Sequence, residues 1–264
     1  MGPLLVLPSD LGPGVRAGFT TRAGGVSVGR HAGLDLAAHV GDDVSAVREN
    51  RALLAAWAGA PVRFARQVHG TEVATVPAAV DGHGAPDMDE HGAAAACPGP
   101  EGVAEPEADA LVTSQAGVPV GVLVADCLPV LLADPEARVA GVAHAGRRGL
   151  LAGVLPRVVQ AMTDAGARPG SIRATVGPAA GGCCYEVPAD MQEEAVAALP
   201  ELRATTTWGT PALDLCAGAV AQLRALGLGA VTAAGRCTIE DESFYSYRRS
   251  GQTGRFAGVV VLVP

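Results

Sequence analysis

The stretch that decides the fold runs from Ala108 to Gly149 and reads ADALVTSQAGVPVGVLVADCLPVLLADPEARVAGVAHAGRRG. Two nearly continuous apolar runs, Val118–Ala125 and Leu128–Ala133, flank the polar pair Asp126-Cys127. A third run, Val139–Ala143, ends at His144 and opens into Ala145-Gly146-Arg147-Arg148-Gly149. Short Val- and Leu-rich runs bounded by Pro and Gly predict buried strands. Pro129 predicts an extended, non-helical corner over Asp126–Leu128. A thiol and an imidazole therefore fall at the ends of adjacent strands, where their side chains can converge. Such a pair suits a metal ion, a Cys–His dyad, or a small buried thiol beside a structurally satisfied histidine.

Bulk properties narrow the class. A chain of 264 residues can bury a full core, and 49% hydrophobic with 17% charged residues is a globular composition. A formal net charge of −8 argues against a general nucleic-acid binder. All 19 basic residues are arginine, which excludes a P-loop lysine and Schiff-base chemistry and leaves arginine as the only fixed cation for an anionic substrate. No apolar run approaches the ~18 residues of a membrane span, and the N-terminus lacks a signal-like pattern. The expectation is a cytoplasmic protein whose six cysteines are thiols or ligands rather than disulfides.

Working outward from the centre, residues 1–18 predict one or two lead strands broken by Pro8 and Pro13, and Phe19–Gly25 a strand entering a glycine turn beside Arg22. Asp43 predicts an N-cap for a helix ending near Gly59. Alternation around His69-Gly70 predicts two strands joined by a bend. Residues 77–108, with five prolines and seven acidic residues, predict a long mobile surface loop; Asp87, Asp89, His91 and Cys97 there have poor metal-binding spacing. Gly149–Gly166 predicts a helix, kinked at Pro156 unless that residue lies in the first turn. Ile172–Val176, Ala230–Ala234 and Gly258–Val263 predict strands, and Met191–Leu199 and Ala212–Leu226 helices. Adjacent Cys183 and Cys184 are expected to point to different sides. Tyr245 and Tyr247 crowd near Arg248, Arg249 and Arg255, a combination that can anchor a flat polar ligand. Mixed rather than alternating elements predict one α/β sandwich with a mixed sheet over residues 1–264, not a doubly wound parallel sheet.

Taken together, eight phrases resemble one family, the laccase-domain proteins, also called YfiH-like or polyphenol-oxidase-like. They are Phe19-Thr20-Thr21-Arg22 with Gly24-Gly25; His39-Val40-Gly41-Asp42-Asp43; Gln67-Val68-His69-Gly70; Asp109-Ala110-Leu111-Val112-Thr113; Ala125-Asp126-Cys127; His144-Ala145-Gly146 with Arg148-Gly149; Cys183-Cys184-Tyr185-Glu186; and the run from Phe244 to Gly254. The resemblance implies the YfiH-like fold, likened to toxin-type cysteine hydrolases, and a Zn2+ site made by His69, Cys127 and His144. Two imidazoles and one thiolate leave a fourth position open, as catalytic zinc requires. It also implies phosphorolysis of adenosine, inosine, guanosine and methylthioadenosine, with deamination of adenosine. Purine nucleosides and phosphate are then the partners, in a monomer or homodimer.

Arg22 and Arg148 are the first candidates for the anion, Arg248 and Arg249 the weaker ones, and Tyr185 or Tyr245 for flanking the base. The sequence departs from the family pattern at Arg147, usually Trp; at Asp35-Leu36-Ala37, usually Asn-Leu-Gly; and after Cys237, where Glu240-Asp241 follow. Three rival readings stand beside this one. The first is a cysteine hydrolase or deamidase using a Cys127–His144 dyad. The second is a copper phenol oxidase, disfavoured by six histidines with no His-x-His pair. The third is a non-catalytic binding module.

Overall fold

The central strands carry apolar residues on both faces because each face meets a different layer. The computed structural model describes residues 4–77 and 105–264; the segment 78–104, with Asp87, Asp89, His91 and Cys97, lies outside the described residues. Short strands β1 (Val6–Pro8) and β2 (Val15–Thr20) come first, followed by helix α1 (Val44–Ala58) and strand β3 (Val73–Thr75). Then come β4 (Ala110–Thr113), β5 (Val120–Val124), β6 (Leu128–Asp134) and β7 (Val139–Ala145). Helices α2 (Arg147–Ala152) and α3 (Val154–Asp164), strand β8 (Arg173–Val176) and helix α4 (Ala189–Ala198) follow. The chain ends with β9 (Arg203–Thr205), β10 (Pro211–Leu213), α5 (Leu215–Ala225), β11 (Ala230–Ala233), α6 (Tyr247–Ser250) and β12 (Phe256–Leu262).

Two sheets form the sandwich: an antiparallel one ordered β1-β2-β12-β5, and a mixed one ordered β11-β8-β6-β7-β4-β3. Between them pack Phe19, Val120, Val122, Val260 and Leu262 of the first against Leu111, Leu131, Ala140 and Val142 of the second. On the far side of the mixed sheet, Val130, Leu132 and Ala143 meet Leu155, Val158 and Met162 of α3 and Ala219 and Leu223 of α5. On the far side of the small sheet, Leu123, Ala257 and Val259 meet Leu54 and Ala58 of α1. The layers run helix, sheet, sheet, helix. The mixed-sheet α/β sandwich expected from the sequence is thus present.

Local expectations differ from the structure where tertiary contacts outweigh local pattern. The successive runs β5 and β6 belong to different sheets, so the Asp126-Cys127 corner is a crossover between layers rather than a hairpin. Asp126 adopts φ 89° there instead of an extended conformation. Ahead of His69, only isolated bridges form, at Arg63 and Arg66, and a regular strand appears only at β3. The predicted helix after Gly149 is two helices, divided at Gly153 with φ 95°, and Pro156 sits in the first turn of α3, where its missing N–H costs nothing. Pro211–Leu213 is a strand because it pairs with β9, so the predicted helix starts later, capped by Asp214.

Asp35 is buried without full compensation. Its Oδ1 accepts from Ala37 N (3.0 Å) and Arg255 N (2.9 Å), and its fully buried Oδ2 has no partner among the described residues. Burial first, with Asp42 adding to it, raises its pKa. A raised folded-state pKa contributes stability below the ordinary carboxyl value, and that contribution is lost as pH rises through the folded value. Asp35→Asn keeps the Oδ1 acceptor and removes the charge. It is expected to stabilise the chain by about 1–3 kcal/mol at pH 7, with the gain shrinking toward pH 4, as read by urea denaturation. A gain independent of pH, or a loss at pH 7, contradicts the charge as the cause.

Candidate metal centre

Three separate parts of the chain meet at one end of the mixed sheet. The pairing of β6 with β7 sets Pro129 opposite His144 and Leu128 opposite Ala145, so Cys127 faces the Gly146 turn. The pairing of β4 with β7 sets Ala110 opposite Ala143 and brings Asp109 beside His144. His69 arrives on a bend that Gln67 docks to β5: its side-chain amide donates to Leu123 O (2.9 Å), and its carbonyl accepts from Leu123 N (2.8 Å).

The ligand atoms of His69, Cys127 and His144 all lie within 4.8 Å of one another. Cys127 Sγ is 3.6 Å from His69 Nε2, and the two imidazole rings meet edge to face with centroids 4.7 Å apart. A Cβ built on Gly146 would come within 2.9 Å of His69 Cδ2, 3.1 Å of Cys127 Sγ and 3.7 Å of His144 Nε2. The glycine therefore keeps open the space that the three donors share. His144 is buried, Cys127 half-buried and His69 exposed, so the group opens to solvent on one side.

Asp109, fully buried, holds this arrangement. Its carboxylate accepts from three successive backbone N–H groups, Val68 (3.1 Å), His69 (2.9 Å) and Gly70 (2.6 Å), and from His144 Nδ1 (2.7 Å). Burial opposes its ionisation, but the bonds from His144, Gly70 and Val68 outweigh burial and hold its pKa at about 2. An ionised carboxylate only accepts, so His144 Nδ1 carries a proton and Nε2 faces the other two donors. Carboxylate–histidine pairs of this kind orient metal ligands. Burial likewise opposes the shift of Cys127, yet His144 and His69 bring its thiol down to about 6. His144 is pushed up to about 9 by Asp109 and Cys127, again against burial. His69 itself sits at φ 61°, the left-handed region, where the bonds to Asp109 keep it. The donor set, the glycine gap and the oriented imidazole fit a borderline-soft divalent ion such as zinc.

The other sequence candidates divide. Arg148 is exposed and makes no hydrogen bond or ion pair among the described residues. Arg248 stacks over Tyr185 at 4.6 Å, and its Nη1 donates to Glu186 O (2.9 Å). Arg22 spends Nε and Nη2 on Ala32 O and lies over the Tyr245 ring at 5.1 Å. Tyr245 is fully buried with its hydroxyl donating to His31 O and Ala32 O, so it presents no face to a ligand. Arg249 donates to Thr238 O, Ile239 O, Asp241 O and Phe244 O, which makes it a loop clamp rather than an anion site.

Three further residues, named in the sequence reading but given no part in the centre there, bear on it. Asp109 was visible as the carboxylate that opens an apolar run and one of the family phrases, with no sign that it would meet His144. Asp126 takes Thr238 Oγ1 (2.6 Å) and Arg248 N (2.7 Å) and so fixes the corner that carries Cys127. Arg255 lies within electrostatic reach of Cys127 and Asp126 and, with Arg51, of His39. Its Nη1 donates to Thr253 O and Gly254 O, while Nε and Nη2 have no partner among the described residues.

Comparison with known proteins places this geometry in a family. Residues 16–263 match the family model described as multi-copper polyphenol oxidoreductase laccase. A Streptomyces coelicolor protein named purine nucleoside phosphorylase is 46% identical over 252 residues, covering 94% of this chain and 96% of its own. A Corynebacterium glutamicum protein of the same name is 44% identical, covering 94% of each. Among solved structures, a Neisseria meningitidis protein of the DUF152 family model superposes with TM-score 0.82 at 33% identity over the whole of both chains. YlmD from Geobacillus stearothermophilus superposes with TM-score 0.80 at 34% identity, covering 96% of this chain and 93% of its own. On fold, sequence and motif order together, the chain belongs to the laccase-domain family that includes YfiH and DUF152.

Proposed function

We propose that residues 1–264 act as one purine nucleoside phosphorylase unit with a zinc centre at His69, Cys127 and His144. Adenosine, inosine, guanosine and methylthioadenosine are the proposed nucleosides, and deamination of adenosine is a side activity. The observation that carries this reading is the open three-donor group around the Gly146 gap, in a chain whose relatives in Streptomyces and Corynebacterium bear the phosphorylase name. The same donor set argues against multicopper oxidation, which needs many more imidazoles. Six cysteines, of which all five described ones are free thiols, fit a reducing cytoplasm and a monomer or homodimer without disulfides.

In phosphorolysis the bond from the sugar's anomeric carbon to the purine nitrogen breaks, a bond to a phosphate oxygen forms, and the base leaves with a proton. Zinc held by His69, Cys127 and His144 would supply a Lewis acid for developing negative charge and, for deamination, would lower the pKa of water. The chain's own residues do the positioning. Asp109 keeps His144 in one tautomer and fixes the His69 bend, so neither ligand reorients as charge moves. Arg255, with two guanidinium nitrogens that have no partner among the described residues and within electrostatic reach of Cys127, is the first cation for phosphate, and the exposed Arg148 is the second. The Tyr185–Arg248 stack offers a planar, polar wall for the purine.

The second reading, a Cys127–His144 hydrolase dyad, is favoured by the same thiolate and imidazolium shifts with Asp109 as the third member. Metal content separates the two. Cys127→Ala is expected to lose the ion bound at this centre and at least about 10³-fold in base release from a nucleoside-plus-phosphate panel. Turnover that survives in metal-free protein contradicts the zinc reading and leaves the dyad.

Two further outcomes test the supporting residues. Asp109→Asn is expected to weaken zinc binding by about 10–100-fold, measured by competition with a chromogenic chelator, with part of the activity returning at high zinc. Arg255→Met is expected to raise the KM for phosphate by about tenfold or more, a loss of about 1.4 kcal/mol, while the KM for nucleoside changes little. Equal changes in both constants contradict a phosphate role.

A further inference from the structure

A second group of ligand atoms lies outside this centre, where two loops cross. Cys183, Cys184, Cys237 and Glu240 each offer one atom, and all four atoms lie within 4.8 Å of one another. The sequence expectation that Cys183 and Cys184 diverge is corrected here. Residues 182–184 form a turn in which Cys184 N and Tyr185 N both donate to Gly181 O. That turn brings the two Sγ atoms to 3.3 Å. Glu240 Oε2 lies 3.5 Å from Cys183 Sγ. Cys237 enters from the other loop through a parallel bridge with Ala179, and its Sγ accepts from Gly181 N (3.4 Å). A Cβ on Gly181 would stand 3.2 Å from Cys183 Sγ and 3.4 Å from Cys237 Sγ, so this glycine too leaves room between donors.

Tetrahedral zinc with Zn–S bonds of about 2.3 Å sets its sulfur ligands ~3.8 Å apart, and a carboxylate oxygen ~3.5 Å from each sulfur. The spacings of this cluster already approach those values. We infer that Cys183, Cys184, Cys237 and Glu240 form a second metal site, a closed three-sulfur, one-oxygen set for a thiophilic divalent cation such as zinc. Four protein ligands leave no open position, so its role is structural.

Its place in the fold gives that role content. The two loops it joins also hold the Cys127 corner, through Ala180 N to Asp126 O (3.0 Å) and Thr238 Oγ1 to Asp126 Oδ1 (2.6 Å). The first loop also carries Tyr185, on which Arg248 stacks. An ion here would clamp the shell around the first centre without touching a reacting group.

The test uses the full chain, stripped of metal under reducing conditions and titrated with Zn2+ or Co2+ alone. The wild type is expected to bind two equivalents. Cys127→Ala keeps one, with intense sulfur-to-cobalt charge transfer and a sulfur-rich zinc coordination shell in X-ray absorption. Cys183→Ser with Cys237→Ser keeps only the other, and Glu240→Gln, an exposed change that leaves folding intact, weakens the equivalent retained by Cys127→Ala by about tenfold or more. The inference is overturned if Cys127→Ala binds no metal, if its cobalt form lacks thiolate charge transfer, or if two of these thiols form a disulfide that persists under saturating zinc. A wild type that binds a single equivalent, retained in Cys127→Ala and lost with the double serine change, supports this site and removes the first.

Discussion

The carboxylate of Asp109 is the point on which the site depends. It is fully buried, and it stays charged because four donors converge on it: three consecutive backbone N–H groups of the His69 bend and the imidazole of His144. A buried charge without that compensation would cost several kcal/mol. Because it is compensated, one residue fixes two things at once. It holds His69 in a left-handed conformation that the chain would otherwise leave, and it turns His144 so that Nε2 faces Cys127. The bend, the strand end and the corner thus become one rigid unit.

The layered fold places that unit at a surface. Strands β6 and β7, buried on both faces, provide a stiff platform from which Cys127 and His144 project at one end. The crossover between sheets at Asp126-Cys127 leaves the thiol outside regular pairing, and Asp126 returns the corner to order by accepting from the two late loops. Rigid elements with a satisfied outer shell are what metal and substrate geometry require. The side left open by the exposed His69 is where solvent reaches the three donors.

A fold shared at TM-score 0.82 does not carry chemistry by itself. The family's older description speaks of copper and phenols, while the names of the relatives speak of phosphorolysis. The residues favour the second. One thiolate and two imidazoles around a glycine gap suit one divalent ion rather than a multicopper cluster, and a chain whose fixed cations are all arginine suits an anionic co-substrate better than a neutral phenol.

Much of this was legible in the sequence. The paired apolar runs predicted the central strands, and the strand ends predicted that Cys127 and His144 would converge, because strand period and Pro and Gly boundaries are local signals. Asp43 marked its helix for the same reason. What the sequence left open is non-local. Assignment of β5 and β6 to different sheets depends on which partner strands arrive later, β12 for one and β7 and β8 for the other. The burial of Tyr245 against His31 and Ala32, and the electrostatic reach of Arg255 to Cys127, follow from how the last loops fold back, over separations that no local pattern encodes. The vicinal thiols show the same division: two cysteines in a row are evident in the chain, but only the turn around Gly181 brings their sulfurs to one side.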